Sequence, residues 1–92
     1  MKIRYYHDAD SGLPHIRGHG ITEHEVEDVL RRPGEDRAGY DGARIAIGQS
    51  RSGRYLRVIY VPDEDGGVFV LTSYDLRGRP LRAYRRRMKR RH

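Results

Sequence analysis

The sequence predicts one small α+β domain spanning residues 1–92, with a small antiparallel sheet of three to four strands, N-terminal helices and a basic C-terminal helix. Three observations support this class: a helix-capping pattern at Thr22, three strand-like apolar runs joined by short loops, and a basic segment that contains a helix-starting proline. A chain of 92 residues without cysteine has room for one modest core, which packing or a partner must stabilise.

The N-terminal part predicts a short strand at residues 2–6 and then at most one helical turn, which Pro14 would start and Gly20 would stop. His15 and His19 stand four residues apart, a spacing that on a helix places two imidazoles on one face, as metal ligands or as an acid and base pair. Glycines interrupt this segment, and no third metal ligand stands at a telling distance. A capping or packing role for His19 is therefore the preferred interpretation, and no metal site is predicted.

A longer helix is predicted to begin at Thr22, because Glu25 follows three positions later and completes a capping box. Ile21 and Val26 stand at the positions of a hydrophobic staple, and Pro33 with the glycine behind it ends the helix. The acidic residues of this segment are interpreted as a solvated face that suits the helix dipole.

The strand-like runs predict an antiparallel meander, because short turn-forming segments connect them. These runs lie at residues 43–49, residues 54–61 and residues 68–74. We expect Gln49 to pair with Arg54 and Val61 to pair with Val68, since both pairings then place the same apolar set on one face. That predicted core face carries Ile45, Ile47, Leu56, Val58, Tyr60, Phe69 and Leu71. The opposite face carries Arg44, Ala46, Gly48, Tyr55, Arg57, Thr72 and Tyr74.

Positive charge is concentrated at the C-terminal end of the chain. Residues 1–76 carry ten Lys or Arg and thirteen Asp or Glu, whereas residues 77–92 carry nine Lys or Arg and no acid. Pro80 suits the first turn of a helix in this basic segment. Such a helix repels itself unless nucleic acid, an anionic membrane surface or an acidic protein neutralises it.

The sequence contains no signal for a membrane partner. No run approaches the roughly 20 apolar residues of a membrane span, and the first residues lack the apolar stretch of a signal peptide. We therefore expect a cytoplasmic protein.

The polar face of the predicted sheet is the first candidate site. Four side chains converge there, namely Tyr55, Arg57, Thr72 and Tyr74. Arginine offers a rigid fork of donors to a phosphate, and tyrosine offers a ring for base stacking and a hydroxyl for hydrogen bonding or proton transfer. The small residues Ala46 and Gly48 are expected to leave room for a ligand beside them. Single-stranded RNA is the ligand that this combination favours.

The segment from His15 to Thr22, with the acidic helix behind it, resembles the opening of BrnT-type toxins. The likeness continues at residues 46–50, residues 53–56, Thr72 and residues 84–86. The resemblance implies a RelE-like fold and a ribonuclease that halts translation until an antitoxin, a ribbon-helix-helix protein in BrnT systems, covers it. Where such sequences carry an Ala-Arg pair and then a Glu opening the last helix, this chain has Ser73-Tyr74 and Pro80.

The leading hypothesis is a type II toxin, an endoribonuclease that needs neither metal nor cofactor and cuts mRNA, free or on the ribosome. Arg54 and Arg57 would hold the scissile phosphate, and a tyrosine would assist proton transfer at the ribose 2′-hydroxyl. The candidate catalytic residues are Arg54, Arg57, Tyr74 and Tyr84. The candidate RNA-binding residues are Tyr55, Thr72, Arg77, Arg79, Arg82, Arg85, Arg86, Arg87 and Lys89.

Two other functions fit the same sequence. A non-catalytic RNA-binding or ribosome-associated module would use the same basic helix and aromatic face, and the missing family Arg and Glu favour it. A protein-interaction domain whose basic helix meets an acidic partner fits the composition but leaves the aromatic face unexplained.

Overall fold

The computed structural model describes residues 1–91, which form a five-stranded sheet with helices on both faces. The elements are β1 (Ile3–Tyr5), a 3₁₀ helix (His15–His19), α1 (Glu23–Arg31), β2 (Glu35–Ala38), β3 (Arg44–Gln49), β4 (Tyr55–Pro62), β5 (Val68–Asp75) and α2 (Gly78–Arg91). The predicted 77–92 helix is therefore α2, and His92 lies outside the described residues.

The sheet has the strand order β1-β5-β4-β3-β2, in which β1 runs parallel to β5 and every other neighbouring pair is antiparallel. The small α+β class is confirmed, but the sheet has five strands, not three to four. The additional strand is β2, whose sequence Glu-Asp-Arg-Ala lacks the apolar alternation of a strand because it lies at an edge.

The predicted start of α1 is confirmed. The Thr22 hydroxyl accepts a hydrogen bond from the Glu25 backbone N–H at 3.3 Å, and the Glu25 carboxylate accepts one from the Thr22 N–H at 3.0 Å. This capping box satisfies two backbone donors that a helix start otherwise leaves unpaired. Val26 and Val29 of α1 are fully buried against Leu56 and other residues of the sheet.

Both predicted hairpin registers are wrong by one residue. Gln49 pairs with Tyr55 instead of Arg54, and Val61 pairs with Phe69 instead of Val68. The reason is that each turn spans three residues and ends on a glycine with positive φ, at 95° for Gly53 and 88° for the equivalent glycine of the second turn. Such turns fix the pairing through backbone geometry that apolar patterning does not reveal.

The register error exchanges residues between the two faces of the sheet. The face under the 3₁₀ helix and α1 carries Ala46, Gly48, Leu56, Val58, Tyr60, Val68 and Val70. The second face carries Ile45, Ile47, Tyr55, Arg57, Ile59 and Leu71. Ala46 and Gly48 are therefore buried on the first face and, contrary to the prediction, leave no space beside Arg57.

Helix α2 covers one end of the second face. Its apolar stripe of Leu81, Tyr84 and Met88 packs against Ile47 and Tyr55. Tyr84 is 5% exposed, and its hydroxyl occupies the position that a side chain at residue 34 would take, so the glycine there is required for close packing. None of the helices in the described part of the chain has the length and apolar character to cross a membrane.

Candidate functional site

Two histidines and a tyrosine form an aromatic cluster where the 3₁₀ helix packs beside the second half of β5. The ring centroids of His15 and His19 are 4.9 Å apart in an edge-to-face arrangement. The His19 ring stacks on Tyr74 at 4.9 Å with an interplanar angle of 24°. Tyr74 is 45% exposed, so the cluster is open to a ligand from solution.

The hydrogen bonds of the two imidazoles fix which nitrogen carries a proton in the neutral ring. His15 Nδ1 lies 2.8 Å from an Asp8 carboxylate oxygen, and His19 Nδ1 lies 2.8 Å from the Ser73 carbonyl oxygen. Both partners are acceptors, so each Nδ1–H donates. Each Nε2 is consequently the ring nitrogen that can accept a proton.

The four-residue spacing of His15 and His19 is a weak sequence signal for this pair. Glycines disfavour an α-helix here, so the sequence favours a capping or packing role for His19. The chain forms a 3₁₀ helix, and the His19 ring packs on Tyr74. Gly20 ends it in the left-handed conformation, at φ 72°, which suits glycine. No pattern marks Asp8, because its contact with His15 depends on how the loop after β1 turns back.

Arg57 is the arginine next to this cluster whose guanidinium has no partner. It pairs with Tyr74 across β4 and β5, so both side chains project from the same face. Among residues 1–91 its guanidinium makes no hydrogen bond or salt bridge, and its Nε is buried without an acceptor. An arginine in this condition is available to an anion or to another acceptor brought by a ligand.

Arg54 is the other arginine predicted to bind the phosphate, but its guanidinium already donates hydrogen bonds to acceptors within the fold. Its Nε lies 2.6 Å from Asp75, and its Nη1 lies 3.2 Å from Glu25 and 2.7 Å from the Gly20 carbonyl. The hydrogen bond from Arg54 holds the pKa of Asp75 below its ordinary value. Arg54 thus ties the end of the 3₁₀ helix, and with it His19, to α1 and β5.

Two ion pairs, Arg54 with Asp75 and Arg87 with Glu35, predict that the fold is sensitive to acid. The hydrogen bond from Arg54 lowers the pKa of Asp75, and the hydrogen bond from Arg87 lowers the pKa of Glu35. At pH values above the ordinary pKa values of 3.8 and 4.5, both carboxylates contribute their full stabilisation to the folded state. That contribution is lost as the pH falls through the lower folded-state pKa. We expect the urea concentration at the unfolding midpoint to decrease as the pH is lowered from about 5 to about 3. Arg54→Met should lower this midpoint at neutral pH and make it depend less on acid. An unchanged acid dependence in this variant would contradict the assignment.

The two other predicted tyrosines lie away from the histidines, under α2. Burial raises the pKa of Tyr84, and the nearby Glu35 carboxylate adds to this effect, so the phenol is less able to act as a base at neutral pH. Tyr55 packs edge-on against Tyr84 at 6.2 Å, with the Arg85 guanidinium 5.7 Å from its ring centroid. Thr72 does lie at the cluster, with its hydroxyl 3.5 Å from His19 Nδ1.

The basic residues of α2 divide into two groups. Arg87 donates to the buried Glu35 carboxylate at 2.8 Å, and Arg91 donates to the Gly34 carbonyl at 3.0 Å. Arg77, directly before α2, is exposed but pairs with Asp75 at 2.9 Å. The remaining basic side chains of α2 are exposed to solvent, namely Arg79, Arg82, Arg85, Arg86, Lys89 and Arg90. Of the candidate RNA-binding residues in α2, Arg87 is thus the one that a hydrogen bond holds against the body of the protein in the described chain, while Arg85 lies over the Tyr55 ring.

Family models, curated proteins and solved structures provide no match to this chain. Within residues 1–91 no group of three or more His, Cys, Asp or Glu side chains is placed to hold a metal ion. The site brings together two imidazoles, a tyrosine and a guanidinium without a partner among the described residues.

Proposed function

We propose that this protein is a metal-independent endoribonuclease that cuts single-stranded RNA, with mRNA as its substrate. The observation that supports it best is the juxtaposition of His15 and His19, each with Nδ1–H donating to a fixed acceptor and Nε2 left to exchange a proton. Two such imidazoles supply both the base and the acid that transesterification of RNA requires.

The reaction is an internal transfer at phosphorus. His15, whose ring the Asp8 carboxylate orients through Nδ1–H, takes the proton of the ribose 2′-hydroxyl while the 2′-oxygen bonds to phosphorus. The bond from phosphorus to the 5′-oxygen of the next nucleotide breaks, and His19 gives that oxygen a proton. The products carry a 2′,3′-cyclic phosphate and a 5′-hydroxyl. Arg57 stabilises the negative charge that develops on the phosphate oxygens.

Arg54 is, in this proposal, a positioning residue instead of a phosphate ligand, because its guanidinium already holds two carboxylates and the Gly20 carbonyl. Tyr74 stacks on His19 and holds the ring in place. A BrnT-type toxin with a RelE-like fold and a neutralising antitoxin agrees with this chemistry, and that identity is part of the proposal.

The test is cleavage of a labelled single-stranded RNA in the presence of EDTA, with and without ribosomes. We expect cleavage to survive EDTA because the imidazoles supply the acid and the base, and we expect DNA of the same sequence to remain intact because it lacks the 2′-hydroxyl. RNA that is bound but uncut in both settings would make the non-catalytic binding module the better assignment. The exposed basic residues of α2 favour that second function, since they can bind RNA phosphates without any catalytic group.

Binding itself is expected to be electrostatic and to reside in α2. If about five phosphates of a single strand are contacted, log affinity should fall with log salt at a slope of about −3.5. Replacing both Arg82 and Arg86 with glutamine removes two contacts and should make the slope less steep by about 1.4. Arg51→Gln is the control, because that side chain is 91% exposed on the turn between β3 and β4. Equal slopes for the wild type and the double variant would contradict this location.

A further inference from the structure

A cavity of about 550 Å³ opens on the second sheet face beside the part that α2 covers. Ile45, Ile59 and Leu71 line it from the strands, and the turn between β2 and β3 closes one side. Arg57 is the single charged residue of its lining. The cavity therefore combines aliphatic walls with one cationic group, which is the composition of many small-ligand sites.

Two features of this cavity indicate that a ligand completes it. The Arg57 guanidinium, which lines the cavity, makes no hydrogen bond or salt bridge within residues 1–91, although polar groups at partly buried positions are usually paired. Tyr40, on the turn that forms the rim, is 93% exposed, and the adjacent Asp41 has a positive φ of 52°. A large aromatic side chain presented in this way suits stacking against a flat ligand.

We propose, on the basis of the ribonuclease function above, that this cavity binds the unpaired base of the nucleotide at the scissile phosphate. The base stacks against Tyr40 and the aliphatic walls, and an acceptor on its edge receives an N–H of the terminal guanidinium nitrogens of Arg57. Arg57 both lines the cavity and pairs with Tyr74 across the strands, so one side chain contacts the base and the phosphate of the same nucleotide.

The chemistry of the lining favours a nucleobase over the other RNA groups. A phosphate in this cavity would lose its hydration against aliphatic side chains with one guanidinium to replace it, which is costly. A base has apolar faces and polar edges, and the cavity offers both kinds of surface. The exposed arginines of α2, which packs on the same face, supply contacts for the neighbouring phosphates.

The proposal is tested by binding, not cleavage, so that it can fail independently of the enzymatic function. The probe is a short 2′-O-methyl RNA, which cannot be cut. It is used with every base present, called the based form, and in forms that lack the base at one position. We expect Tyr40→Ala and the cavity-filling Ala43→Trp each to weaken binding of the based form by about tenfold. Tyr40→Phe keeps the ring and should bind like the wild type.

With the RNA that lacks the base proposed to occupy the cavity, the wild type and the two cavity variants should have the same affinity. Ala9→Trp, which adds the same side chain at an exposed position elsewhere, controls for the indole itself. Based-form affinities that stay equal in Ala43→Trp and the wild type would overturn the base site and leave a partner-protein segment as its occupant. If the cavity variants bind weakly but no RNA is ever cut, the base site stands and the ribonuclease function fails.

Discussion

His19→Ala is expected to lower the rate of RNA cleavage by about 10²- to 10⁴-fold, the range that general acid or base catalysis supplies. The affinity for RNA should change little, because the exposed arginines of α2 are intact. The measurement is single-turnover cleavage of a labelled RNA, with dissociation constants determined in parallel on the uncleavable 2′-O-methyl analogue.

His24→Ala is the matched control, since this histidine is exposed on α1 and does not belong to the cluster of His15, His19 and Tyr74. His15→Ala should resemble His19→Ala, and the double variant should lose little more than either one, because residues that act as a unit are not additive. A His19→Ala protein that is folded, binds RNA and cuts it at the wild-type rate would exclude the imidazole pair from the chemistry.

Arg57→Ala is expected to reduce the cleavage rate by about 10²-fold, a loss of about 2.7 kcal/mol of transition-state stabilisation. Its thermal stability should match or exceed that of the wild type, because the substitution removes a buried donor that has no acceptor. Arg57→Lys should restore only part of the rate, since lysine keeps the charge but not the fork of donors.

Arg54→Ala provides the contrast, because Arg54 stabilises the fold through Asp75, Glu25 and Gly20. This variant should lose both melting temperature and cleavage rate, whereas Arg57→Ala should lose the rate alone. Equal losses of stability in the two variants would show that Arg57 has a structural role instead.

The elements that local sequence determines were predicted correctly. The capping box at Thr22 and the basic helix behind residue 77 depend on side chains and backbone groups within a few positions, so their patterns were sufficient. The assignment of residues to the two faces of the sheet was not predicted correctly, because the strand pairing depends on the conformation of two glycine-containing turns. A slip of one residue moves the side chains of a strand to the other face. Strand β2 was missed since a charged edge strand has no apolar period.

The candidate site was predicted in part for similar reasons. Arg57 and Tyr74 share a face in both the predicted and the observed register. The predicted pairing places Thr72 opposite Arg57, whereas the bulge between Ile59 and Tyr60 adds a second one-residue shift that brings Tyr74 opposite Arg57 and keeps both side chains on the same face. The partners of Arg54 and the absence of partners for Arg57 depend on tertiary contacts, and the two residues cannot be distinguished by sequence alone. The histidine pair required a 3₁₀ helix and a contact with Asp8, a residue seven positions before His15.

The most direct test of the account is the effect of a single 2′-deoxy substitution on the site of RNA cleavage. A labelled RNA is first mapped for its preferred cut, and the nucleotide on the 5′ side of that bond is then replaced with its 2′-deoxy counterpart. Attack by the 2′-hydroxyl predicts that cleavage at this bond disappears, while cuts at other bonds leave 2′,3′-cyclic phosphate ends. Continued cleavage at the substituted bond, or products that carry a 3′-hydroxyl, would contradict the mechanism assigned to His15 and His19.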